Sequence, residues 1–118
     1  MIEIECFDPY GNRIEHYTQW DIDQEITMVL NGCDTRHLEV PPEVHFANGK
    51  STEAIVATSK VIGDNSIVAD IPNDILTQEY PILIYVYAID KNDMLSKKTI
   101  ASTQIQMVKR ARPDDYNG

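Results

Sequence analysis

Fifteen isoleucines and eight valines stand against five leucines in this chain. β-Branched side chains lose rotamer freedom in a helix and pack well on a pleated surface, so the excess points to strands. Period-two alternation agrees: Ile2, Ile4 and Cys6 fall on one side of a first strand, Glu3, Glu5 and Phe7 on the other. Asp8-Pro9-Tyr10-Gly11-Asn12 then supplies a turn, proline fixing φ and glycine accepting positive φ. Further strands are expected near Glu25–Leu30, Glu43–Phe46, Glu53–Thr58, Ser66–Ile71, Ile82–Asp90 and Thr99–Val108. Asn31-Gly32, Asn48-Gly49, Gly63-Asp64-Asn65 and Lys91-Asn92-Asp93 punctuate them.

About seven short strands with regular turns and no long helical pattern describe an all-β chain. The expected architecture is an immunoglobulin-like antiparallel β-sandwich, with an OB-type barrel as the alternative. Ile71-Pro72-Asn73-Asp74-Ile75-Leu76-Thr77-Gln78 breaks the alternation. It reads as one helical turn bridging the two sheets, with proline where a first turn tolerates it.

With 118 residues there is room for a single domain, expected to span 1–108. Residues 109–118 change character. Lys109-Arg110-Ala111-Arg112-Pro113 is basic and Asp114-Asp115-Tyr116-Asn117-Gly118 is acidic and polar, and proline cannot extend a ladder. This segment is either a solvated tail or a linker that tethers a neighbour.

Charge narrows the function. Nineteen acidic against ten basic side chains give a net charge of −9 and a pI near 4.6. Such a surface repels phosphate, which argues against nucleic acid and anionic membrane as partners. No apolar run reaches the length of a membrane span. Met1-Ile2-Glu3-Ile4-Glu5 lacks the basic and apolar regions of a signal peptide, and two cysteines are too few for a disulfide scaffold. A cytoplasmic site of synthesis is the expectation.

The search for reactive chemistry finds little. His16, His37 and His45 fit no zinc spacing, and Asp21-Ile22-Asp23 lacks the later ligands of a calcium loop. No G-x-S-x-G, S-x-x-K or phosphate-loop pattern occurs. Cys6 alternates with Ile2 and Ile4, which makes it a small hydrophobe rather than a nucleophile. Neither an enzyme nor a cofactor or metal is expected.

The segment Ile82–Ile89 is more informative. Ile82, Ile84, Val86 and Ala88 occupy one face, and Leu83, Tyr85, Tyr87 and Ile89 the other. A sandwich strand with one wet face should not be apolar on both. One set fills the core; the other needs cover from loops, the tail or another chain, or else stands as a wet aromatic ladder. Tyrosine suits an interface because it offers rigid area with a polar tip. Leu83, Tyr85, Tyr87 and Ile89, with Arg110, Arg112 and Tyr116 of the tail, are therefore the candidate protein-contact residues. Trp20, between Gln19 and Asp21, suits a core anchor or a contact.

Five segments, in chain order, carry a resemblance. They are Thr18-Gln19-Trp20-Asp21, Val44-His45-Phe46-Ala47-Asn48, Ile71-Pro72-Asn73-x-x-Leu76, Tyr80-Pro81-Ile82-x-x-Tyr85-x-Tyr87 and Arg112-Pro113-Asp114-Asp115-Tyr116. Together, from Ile2 to Tyr116, the chain resembles small structural proteins of tailed bacteriophages and prophages of Gram-positive-type bacteria. In these an N-terminal β-sandwich is often followed by a linker and a helical or fibrous region. The tail here is poorer in proline than is usual in that family. The resemblance implies a virion component of the tail, baseplate or fibre, or of the capsid surface. It implies other virion proteins as partners, a homo-oligomer or symmetric assembly, and no catalytic residues. A carbohydrate-binding module directed at host surface glycans is the competing expectation; it requires Tyr10, Tyr17 or Trp20 exposed in a shallow groove.

Overall fold

The computed structural model describes residues 2–35, 38, 40–49, 53–90 and 93–116. Among these residues nine strands follow in chain order. They are β1 (Glu3–Phe7), β2 (His16–Thr18), β3 (Glu25–Asn31), β4 (Glu43–Asn48), β5 (Ile55–Thr58), β6 (Lys60–Val61), β7 (Ser66–Asp70), β8 (Ile82–Asp90) and β9 (Asp93–Val108). They form a four-stranded sheet in the order β1-β3-β7-β6 and a five-stranded sheet in the order β2-β9-β8-β4-β5. Two sheets with separate orders make a sandwich and exclude a barrel. The first order is the A-B-E-D sheet of the immunoglobulin pattern; the second is its G-F-C sheet, extended at both edges.

Strand pairing is antiparallel with one departure. β2 runs parallel to the end of β9, His16 facing Gln106 and Thr18 facing Val108. Ile2 also bridges Ala101 in parallel, its amide donating to the Ile100 carbonyl at 2.9 Å, so the chain start links the two sheets. The two strands beyond the expected seven are the shortest, β2 and β6.

Alternation explains the core. β3 turns Ile26, Met28 and Leu30 inward, and β8 turns Ile82, Ile84 and Val86 inward, all fully buried. Val44, Phe46, Ile67 and Ala101 close the same space from β4, β7 and β9. The expected helical turn is a 3₁₀ turn, Asn73–Thr77, between β7 of one sheet and β8 of the other. Pro72, at φ −57° and ψ 132°, ends the strand geometry, and Ile75 and Leu76 plug that end of the sandwich. The buried Asn48 amide donates to the Ile75 carbonyl at 3.1 Å, which satisfies a carbonyl that a short turn leaves over. Among the expected turns, Gly11 (φ +86°) and Gly32 (φ +92°) take the left-handed conformation that glycine allows. The Lys91-Asn92 turn lies outside the described residues.

Candidate protein-interaction surface

The outer face of the five-stranded sheet is built by register. Leu83, Tyr85, Tyr87 and Ile89 alternate with the buried set on β8 and are all half-buried. On one side Ala47, His45 and Glu43 of β4 stand opposite Leu83, Tyr85 and Tyr87. On the other side Gln104, Ser102 and Thr99 of β9 stand opposite the same three. A bulge between Val86 and Tyr87 shifts this pairing by one residue. It increases the local twist while keeping Tyr87 on the outer face.

The aromatic part of this face packs within itself. The His45 ring lies 4.3 Å from Tyr87, centroid to centroid, at 39°. His45 Nε2 stands 2.7 Å from Glu43 Oε1, and both side chains keep 17% of their surface exposed. Val56 of β5, opposite His45, extends the apolar surface to the sheet edge at 52% exposure. The result is a strip running Val56–His45–Tyr85, with aromatic rings and polar tips at its centre.

The tail residues form a second cluster at the end of the sheet where β9 finishes, which is the Leu83 end of β8. β9 stops at Val108, where the sequence puts the boundary, and the chain then folds back onto the loop after β2. Gln19 organises the junction. Its amide donates to the Val108 carbonyl at 2.8 Å, and its Nε2 donates to the Thr77 carbonyl at 2.8 Å. Its Oε1 accepts from the Arg110 amide at 3.3 Å. Arg110 Nη1 reaches Asp21 Oδ1 at 3.3 Å. The Arg112 guanidinium lies 5.5 Å from the ring centres of both Trp20 and Tyr116. Those two rings meet edge to face at 5.2 Å and 74°. Both are half-buried, so Trp20 is a rim residue rather than a core anchor.

Between loop and tail lies a shallow groove of about 450 Å³, lined by Trp20, Asp21, Ile22, Gln24, Arg110, Pro113, Asp115 and Tyr116. Of the other aromatics proposed for a groove, Tyr10 stands 90% exposed on the Asp8–Asn12 turn, whereas Tyr17 is buried on the inner face of β2. A second concavity, of about 320 Å³, gathers Asp8, Arg13, Glu15, His16, Asp21 and Glu25. The Asp8 carboxylate accepts from the Asn12 amide and, with less effect, from the Tyr10 amide, both at 2.9 Å, and these bonds hold it below the usual carboxylate range.

Both thiols are pushed up by burial, that of Cys6 to about 11 against the opposing pull of Arg13, so neither is an activated nucleophile. Among the described residues no three His, Cys, Asp or Glu side chains gather closely enough to hold a metal ion. His37 lies outside the described residues. The structure thus brings the seven contact candidates together as two separate groups. Four lie on the β8 face, and three lie in the tail cluster, already engaged with the chain's own loop. No protein-family model matches this β-sandwich chain, and no curated protein compared with it matches either.

Proposed function

We propose that this chain is a structural adaptor of a bacteriophage virion, joining parts of the tail, baseplate or fibre by protein–protein contact. The observation that carries the proposal is the second apolar set on β8. Leu83, Tyr85, Tyr87 and Ile89 leave the core yet stay apolar and half-buried, continued by Val56 to the sheet edge. The virion assignment itself rests on the resemblance of the five ordered segments. Other virion proteins, or further copies of this chain under symmetry, are the partners, and the working location is the particle, the chain being made in the bacterial host cytoplasm. A place on the capsid surface would use the same face and is separated by imaging the particle.

Tyr87→Asp tests the contact directly. It sets a charge opposite Glu43, beside the strip, and removes the His45 stacking partner. Mixed with purified virion partners, it is expected to assemble at least about tenfold more weakly, in line with loss of a central aromatic contact. Its circular dichroism as an isolated chain should be unchanged. Normal assembly would remove the face from consideration.

The Trp20 groove favours a second reading, recognition of a host surface glycan. Trp20 and Tyr116 supply aromatic edges, while Asp21, Gln24, Arg110 and Asp115 supply hydrogen-bonding groups in one shallow depression. A glycan array read with the intact chain decides it, and a blank array eliminates it.

A further inference from the structure

The sequence leaves this segment as a solvated tail or a tether, yet its contacts converge on Gln19, Trp20 and Asp21. The platform beneath it is held without the tail. The Trp20 amide donates to the Leu76 carbonyl at 2.7 Å, the Asp23 amide to Asn73 Oδ1 at 2.9 Å, and the Ile71 amide to the Gln24 carbonyl at 2.9 Å. Gln19 adds its bond to Thr77. These tie the loop to the 3₁₀ turn, whose Ile75 and Leu76 are core residues. They also hold Trp20 at φ +72° and Asp23 at φ +55°, left-handed conformations that cost energy outside glycine and persist where surroundings fix them. The platform is therefore built into the sandwich.

The tail, by contrast, is attached from outside. Residues 109–112, 114 and 115 are exposed, and the Arg110 and Asp21 side chains retain 44% and 34% of their surface. Exposed ion pairs and cation–π contacts are individually weak, so the tail is held less firmly than the platform.

We propose that Lys109–Tyr116 is a releasable strap over a preformed receptor for an arginine-bearing segment. Closed, the strap places Arg112 against the rings of Trp20 and Tyr116 and Arg110 against Asp21. Open, it leaves Trp20, Ile22 and the Asp21 carboxylate as an aromatic and acidic platform. The chemistry that holds the chain's own tail then takes an arginine-containing extended segment of another protein. This inference stands apart from the virion reading and from the β8 face.

The chain contains a single tryptophan, so its fluorescence reports Trp20 alone. Lys109 and Arg110 offer trypsin two cleavage points, while the Arg112–Pro113 bond resists. In the full chain, Arg112→Ala is expected to raise both acrylamide quenching of Trp20 and cleavage of the tail by about two- to fivefold, the weight of one exposed cation–π contact. Arg112→Lys, which keeps the charge but not the flat guanidinium, should fall between. The thermal melt of the sandwich should not move. A synthetic peptide of residues 109–116 added to the Arg112→Ala chain should restore the quenching protection saturably, and the same peptide with alanine for Arg112 should not. Wild-type quenching and cleavage in Arg112→Ala would overturn the strap. Equal action of the two peptides would overturn the receptor.

Discussion

Tyr17 presents a hydroxyl to the interior of the sandwich with no hydrogen-bond partner among the described residues. An unsatisfied buried group costs about 1–3 kcal/mol, so Tyr17→Phe should stabilise the chain by about 1 kcal/mol while keeping the ring packing. Urea unfolding measures this, and a loss of stability would show that the hydroxyl is held after all. Its neighbour Cys6 carries the pH dependence. Burial raises the Cys6 thiol from 9.0 to about 11 and raises the Tyr17 phenol above its ordinary value, with Cys6 and Asp8 adding to the latter by charge. Both groups are neutral when protonated, and folding favours that form. Their contribution is fully present below pH 9 and is lost as pH rises through the folded-state values, a change of roughly 3 kcal/mol for the Cys6 thiol. Chemical denaturation between pH 8 and about 11 should show this fall, and Cys6→Ala should flatten part of it. An unchanged slope in that variant would locate the alkaline sensitivity elsewhere.

At the scale of elements, legibility tracks length and alternation. β3 and β8 were readable because Ile26, Met28 and Leu30, and the doubled apolar faces of Ile82–Ile89, repeat often enough to show period two. β2 was not, because His16-Tyr17-Thr18 is too short for a period and exists only by pairing with the end of β9. β6 is hidden for a related reason. Ser59, whose hydroxyl donates to the Pro42 carbonyl at 2.6 Å, divides Ile55–Ile62 so that β5 and β6 join different sheets. Nothing local marks that crossing. The β8 contact face was visible in the sequence, since alternation alone assigns it. The docking of the tail was not. Arg110 meets Asp21 across 89 positions and Gln19 across 91, separations over which local pattern carries no information. The one available hint was compositional, an Arg-Ala-Arg segment at one end of the chain and a Trp-Asp pair near the other.

The whole molecule has to manage its open edges while displaying a contact face. β1 and β6 bound one sheet, β2 and β5 the other, and β5 and β6 are consecutive, so two edges run along one side of the sandwich. That side is apolar: Ile55, Val56 and Ile62 are 38%, 52% and 55% exposed. Lys60 is the single charge between Ile55 and Ile62, exposed on β6. A lone lysine on an edge strand is a common defence against strand addition by another copy, because pairing would bury its ammonium. The net charge of −9 adds a second, non-local defence through repulsion between copies. Lys60→Val separates the two, because it removes the local guard while making the net charge more negative. If repulsion dominates, the variant should associate less than the parent. The exposed edge leads us to expect the opposite: higher-mass species by light scattering at lower concentration. Acidification toward the pI near 4.6 should strengthen the effect, as carboxylates protonate and repulsion fades. An unchanged onset of association in Lys60→Val would show that the twist of the edge, and not its charge, keeps copies of this chain apart.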